Sequence, residues 1–268
     1  MAAVATPGAS DDLELALALA DAADEMTLSR FRAQDLVVET KPDLTPVSEA
    51  DRAVERMVRE RLAQQRPDDG VLGEEYGDDG DGSLGRRWII DPIDGTKSYV
   101  RGTPHWATLL ALEHEGEVSI GVISAPAVQR RWWAARGAGA FTRDPLSEAP
   151  RRLQVSGVRE LSDAQLCFGG LEDWRSAGLM DALLELGSRC WRTRGYGDFW
   201  NYTLIAEGAA EIGCDPQVSH WDLAAPMLIV EEAGGRFTDL SGNATPTGGS
   251  GVATNGLVHE EVLALIGR

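Results

Sequence analysis

The stretch Trp88-Ile89-Ile90-Asp91-Pro92-Ile93-Asp94-Gly95-Thr96-Lys97-Ser98 decides how the rest of the chain is read. An apolar β-type run (Trp88, Ile89, Ile90) delivers Asp91 to its end; Pro92 breaks the ladder, and Asp94 follows at i+3. Gly95 and Thr96 are the small and hydroxylated residues that suit a backbone approaching an anion and opening a helix. Two carboxylates and a set of free N–H groups on one turn fit hard divalent cations on one side and a phosphate on the other. Asp-Pro and Asp-Gly are also ordinary surface-turn signals, so the choice rests on what accompanies them.

Three further acidic stations accompany them. Asp51, in TPVSEADRAVE (45–55), is the N3 residue of a helix if Ser48 is its cap, a position a carboxylate fills for structural reasons alone. Glu74 and Glu75 follow Val71-Leu72-Gly73; in a strand they point to opposite faces, so one of them at most faces a shared site, and a solvated acidic turn is the alternative. Asp222, in SHWDLAAPMLIVEEAGG (219–235), stands where an N-cap precedes an apolar helical run. Each has a capping or solvation explanation, but together they form a carboxylate set around a phosphate-type turn. Mg²⁺ takes oxygen ligands and leaves positions for water and substrate, and a pair of such ions activates water while neutralising the leaving oxygen. No Ser-His-Asp order, Cys-His pair, P-loop or zinc spacing competes, and the four histidines form no ligand pair at helical spacing.

Composition narrows the field. With 43 acidic against 25 basic residues the net charge is −18, which disfavours a nucleic-acid-binding surface. Cys167, Cys190 and Cys214 have neither disulfide-framework nor zinc spacing, and a reducing cytoplasm is the simplest fit. The opening MAAVATPGASDD lacks a signal-peptide pattern, and no run of about 18 apolar residues exists, so neither secretion nor a membrane span is expected.

Residues 1–10 read as a disordered leader, followed by a helix starting at Asp11 with Glu14 placed for a capping box. A second helix runs from Ser48 to Gln64, and the Gly- and Asp-rich loop 77–87 is too polar to pack. Strand patterns at 86–91, 106–113, 117–124 and 129–136 with short connections predict an antiparallel sheet. DPLSEAP (144–150) is the expected boundary between an α+β half (1–145) and a smaller α/β half (146–268). In the second half strand-like segments at 164–169 and 190–195 alternate with helices at 178–188, 199–208, 222–234 and from His259. Trp132 and Trp133 face opposite sides of a strand, one expected in the core and the other at a dimer interface.

Taken in order, the Thr-x₅-Asp element ending at Asp51, the GEE at 73–75, the DPIDGT at 91–96 and the WDLAAP at 221–226 resemble the inositol monophosphatase family of metal-dependent phosphomonoesterases. The resemblance implies a layered αβαβα sandwich of α/β class. It also implies a site of two or three Mg²⁺ ions, replaceable by Mn²⁺, held by Glu74, Asp91, the Ile93 carbonyl, Asp94 and Asp222. By the same resemblance Asp51 and Thr96 orient the attacking water, Gly95 and Thr96 hold the phosphate, and the enzyme is a lithium-sensitive homodimer. The stretches KPDLTPVSEADRAVE, IGVISAPAVQRRWWAARGAGAF and YGDFWNYTLIAEGA look like the histidinol-phosphatase branch, implying L-histidinol phosphate as substrate. That ester carries an ammonium and an imidazole, which call for carboxylates and aromatic faces. Asp198 and Asp215 are the candidates for reading that cationic head, with Tyr196, Phe199 or Trp200 nearby. An inositol-1-phosphatase is the alternative enzyme; a regulatory binding protein that kept the fold is the alternative of another kind.

Overall fold

A computed structural model describes residues 10–41, 45–80 and 82–267. The chain opens with α1 (Asp11–Arg30), a hairpin of β1 (Val38–Thr40) and β2 (Pro46–Ser48), and α2 (Glu49–Gln65). It continues through β3 (Gly70–Gly73), β4 (Gly77–Asp78), β5 (Arg86–Asp94), α3 (Thr96–Val100), β6 (Ala107–His114), β7 (Glu117–Ala125), β8 (Arg130–Ala135), β9 (Gly139–Arg143) and β10 (Arg151–Arg152). The remainder comprises β11 (Gln165–Phe168), α4 (Leu171–Ser176), α5 (Met180–Arg189), β12 (Arg192–Gly195), α6 (Asp198–Ala206), β13 (Ile212–Asp215), α7 (His220–Glu232), β14 (Arg236–Thr238), β15 (Gly251–Thr254) and α8 (His259–Ile266).

Strands β3 to β10 form one sheet in the order β10-β9-β8-β7-β6-β5-β3-β4, antiparallel except where β3 meets β5. Its side chains alternate, and both faces are covered. Trp88, Ile90, Leu110, Leu112 and Val122 pack against α1 and α2, whereas Ile89, Leu109, Ala111 and Ile123 meet Leu223, Leu228 and Phe237 on the other face. The second sheet, β12-β11-β13-β15-β14, lies beyond α6 and α7, and its outer face carries α5 and α8. The layers therefore run αβαβα. Helix α7 is apolar around its whole circumference from Leu223 to Val230 because it is enclosed between the two sheets.

Several boundaries differ from the sequence reading for identifiable reasons. Ser10 caps α1 through its side chain, which accepts from the Leu13 N–H; Leu13 is thus N3, and Glu14 closes no capping box. Strand β5 continues past Pro92 to Asp94, because a bulge absorbs the proline. The loop over 77–87 does pack at its start: β4 pairs with β3, and Asp79 accepts from the Val71 N–H and pairs with Arg59. Trp132 and Trp133 do take opposite faces, but both are buried, so neither is left for an interface. Edge strand β10 joins the first sheet beyond the boundary expected at 145/146. Apart from Ser10, the leader expected over 1–10 lies outside the described residues. Among those residues no helix is long and apolar enough to cross a membrane.

One buried group makes stability pH-dependent. The His259 ring is fully buried between the hydroxyls of Thr238 and Thr254, and burial followed by Arg236 lowers its pKa to about 4. Folding holds it neutral, so its contribution is complete above pH 6.5 and is lost as the pH falls toward 4. The stability difference between wild type and His259→Gln, measured by urea denaturation, is expected to hold constant from pH 8 to 6.5. It then shrinks by up to about 3 kcal/mol by pH 4; a difference independent of pH contradicts this role.

Candidate active site

The site begins with a register shift. Asp91 pairs with Leu109 and Asp94 with Ala107, so three steps along β5 match two along β6. In a regular strand residues i and i+3 face opposite sides; the extra residue turns both carboxylates to the same place. The Thr108 hydroxyl donates to the Pro92 carbonyl at 2.8 Å and the Ile93 N–H to Asp91 Oδ1 at 2.9 Å, holding the bulge closed. Gly95 then takes φ 83° and caps the short α3; a side chain there would strike the His105 carbonyl.

Asp222 arrives from α7. It is the N3 residue, not the N-cap: Ser219 caps the helix, and its N–H donates to Asp222 Oδ2 at 2.8 Å. The capping bond fixes one oxygen and leaves the other toward β5. Carboxylate oxygens of Asp91, Asp94 and Asp222 all lie within 4.8 Å of one another. Asp51 uses the same device on α2, accepting from the Ser48 N–H at 2.8 Å and the Ser48 hydroxyl at 2.5 Å. Its other oxygen lies 3.4 Å from Thr96 Oγ1, which is 3.0 Å from the Ile93 carbonyl.

Glu74 and Glu75 lie in the turn after β3 rather than in a strand, so they do not point to opposite faces. Both reach the Lys41 ammonium, at 2.7 and 2.6 Å. The turn is shaped from behind by Glu55, fully buried on α2, whose carboxylate accepts from the Glu75 and Tyr76 N–H groups. Lys41 and Glu55 were missed in the sequence. The available signal was Glu55 itself, one helical turn after Asp51 on the apolar face with Val54 and Val58.

These groups open into a cleft of about 560 Å³, whose walls include Glu74, Gly95, Thr96, Lys97, Gly169, Gly170, Asp173, Tyr196, Gly197, Asp198, Trp221 and Asp222. Asp198 lines it from the first residue of α6, in the left-handed region at φ 53°, and the next residue, Phe199, donates its N–H to Asp94 Oδ2 at 2.6 Å. Phe199 itself is core, packed on Trp132. Asp215 does not line the cleft. Its carboxylate accepts from the Tyr202 hydroxyl at 2.8 Å and from Asn201, behind the Gly169 backbone.

Burial and mutual repulsion dominate the electrostatics. Burial, then the charge of Glu74, holds Asp91 well above the carboxylate range, and burial followed by Asp198 and Asp222 does the same to Asp94. Burial pushes Asp222 up to about 7 against the pull of the Ser219 N–H, and Asp51 up to about 6 against its bonds to Ser48. Asp198 and Asp215 are also raised to about 6, chiefly by the protein around them. Carboxylates this close resist ionising together unless a cation joins them. An all-oxygen donor set, Asp91, Asp94 and Asp222 with Glu74 in the same cleft, fits a hard divalent cation and suits no soft metal.

A sequence profile of the inositol monophosphatase family matches residues 9–267. The chain belongs to that family. Among its relatives, the histidinol-phosphatase of Mycobacterium tuberculosis is 59% identical over 94% of this chain and 96% of that protein. The histidinol-phosphatase of Streptomyces coelicolor is 51% identical over 98% and 99%. Among solved structures, the IMPase of Thermotoga maritima superposes with a TM-score of 0.84 at 30% identity, covering 96% of this chain and 97% of that one. The layered fold is thus the family's own.

Proposed function

We propose that this member of the inositol monophosphatase family hydrolyses L-histidinol phosphate to L-histidinol and phosphate, with Mg²⁺ as cofactor. The observation that carries the assignment is the acidic cleft: Asp198 borders the phosphate-binding turn, where a substrate bearing a cationic head is favoured and an anionic bisphosphate is repelled. The activity named for the mycobacterial and streptomycete relatives supports the same reading.

Glu74, Asp91, the Ile93 carbonyl, Asp94 and Asp222 would hold two or three magnesium ions, or Mn²⁺ in their place. When bound, the cations acidify water and neutralise the leaving ester oxygen. The protein does the rest. Gly95 and Thr96 offer backbone N–H groups to the phosphate at the start of α3. Thr96 Oγ1 has two acceptors for its one proton, the Ile93 carbonyl at 3.0 Å and Asp51 at 3.4 Å; given to Asp51, it leaves the hydroxyl's lone pairs to accept a proton from the attacking water. Asp51, with its pKa near 6, is ionised at neutral pH yet basic enough to take that proton. Asp215 supports the cleft wall from behind. The three free cysteines, two of them buried, suit a reducing cytoplasm.

Phosphate release from L-histidinol phosphate, inositol 1-phosphate, fructose 1,6-bisphosphate and glycerol 3-phosphate tests the reading. A kcat/KM preference for histidinol phosphate is expected, and a preference for the inositol ester overturns the head-group assignment. Asp198→Asn, which keeps a residue tolerant of positive φ, is expected to lower kcat/KM for histidinol phosphate about 100-fold. The loss on glycerol 3-phosphate is expected to be far smaller; equal losses on both make Asp198 structural.

A further inference from the structure

Asp198 is not the only carboxylate at the head-group end of the cleft. Asp173, on α4, lines the same cleft, exposed, with no hydrogen-bond or ion-pair partner for its side chain among the described residues. Of the described residues that line the cleft, Lys97 is the one cation, set against Glu74, Asp173, Asp198 and Asp222. Glu74 and Asp222 belong to the metal end, which leaves Asp173 and Asp198 as the charges available to an organic head.

The two differ in distance from the phosphate turn. A Cβ built on Gly95, the cap of α3, falls 3.2 Å from Asp198 Oδ2, so Asp198 stands directly over the turn. The Asp173 carboxylate instead folds over Gly170, 3.0 Å from the Cβ position there, on the segment that follows β11. Between them the wall is bare backbone at Gly169, Gly170 and Gly197, with the exposed Tyr196 ring beside it. That wall is fixed from behind: Asn201, fully buried, accepts from the Gly197 N–H at 3.1 Å and donates to Asp215. A Cβ on Gly169 would point away from the cleft and strike Asp215 Oδ1 at 2.2 Å, so glycine there lets the wall lie directly against its support.

In histidinol phosphate the ammonium is two carbons from the ester oxygen and the imidazole lies beyond it. We infer that the order of carboxylates along the cleft matches the order of groups along the substrate: Asp198 takes the ammonium, and Asp173 takes an imidazole N–H while the ring lies along the glycine wall beside Tyr196. Asp173 is thus a specificity-determining residue for the ring, and the assignment rests on the histidinol-phosphate reading above.

The test uses O-phosphoethanolamine, which keeps the ammonium and lacks the ring, beside L-histidinol phosphate. In Asp173→Asn the ratio of the two kcat/KM values, histidinol phosphate over phosphoethanolamine, is expected to fall about 10-fold, through KM, as for one hydrogen bond to a charged group. In Asp198→Asn both values are expected to fall together, leaving the ratio near that of wild type. Asp173→Glu is expected to recover part of the ratio. An unmoved ratio in Asp173→Asn, with wild type still preferring histidinol phosphate, overturns the Asp173 assignment alone. A wild-type enzyme that does not favour histidinol phosphate overturns both the assignment and the functional reading beneath it.

Discussion

Asp94→Asn is expected to lower kcat by about 1,000-fold or more under saturating Mg²⁺, the largest single effect in the molecule. Asp94 is buried, faces Asp91 and Asp222 within 4.8 Å, and takes the Phe199 N–H on its other side. Asparagine keeps the shape and the bond from Phe199 but removes a charged oxygen from the cation's donor set. The same substitution relieves repulsion when no cation is present, because burial and the neighbouring Asp198 and Asp222 disfavour the Asp94 charge. Chelator-treated Asp94→Asn is therefore expected to melt no lower than chelator-treated wild type, while gaining less from added Mg²⁺. Near-normal turnover, or an unfolded variant, contradicts the proposed role.

Asp51→Asn is expected to cost about 100-fold or more in kcat with little change in KM, the signature of an interaction that matters in the transition state. One Asp51 oxygen meets Thr96, and the other bonds Ser48 at the cap of α2. Asparagine can still cap α2, so the melting temperature is expected to move little. Thr96→Ala in the same background is expected to add almost nothing, because both residues serve one proton path. Additive losses from the pair, read from steady-state phosphate release, exclude a shared path.

Much of this was legible in the sequence because the relevant residues serve local and catalytic ends at once. Ser48 and Asp51 form a capping box, and that box is what aims the carboxylate. The apolar run Trp88, Ile89 and Ile90 marked the strand that delivers Asp91, and its side chains enter the cores on both faces of the sheet. The failures share a cause: groups whose partners come from far along the chain. Glu74 and Glu75 read as a strand dipeptide until Lys41 and Glu55 bend them into one turn. Asp215 turns Oδ2 to Tyr202 and Asn201 and Oδ1 to the Gly169 backbone, contacts that no local pattern announces. The Asp222 case is local instead: Ser219, three residues earlier, takes the cap and leaves Asp222 at N3. Asp173 gave no local signal, since only the fold brings α4 beside Asp198.

The bulge between Asp91 and Asp94 carries an implication for transplanting this chemistry. The sequence of the motif alone does not bring its two acids together; the extra residue against β6 does. Removing one residue there would restore an even pleat and send one acid toward the helix layer, whatever side chains were kept. Grafting the centre onto another sheet therefore means copying a mismatch in strand length, with the Thr108 bond that clasps it, and not merely a string of letters.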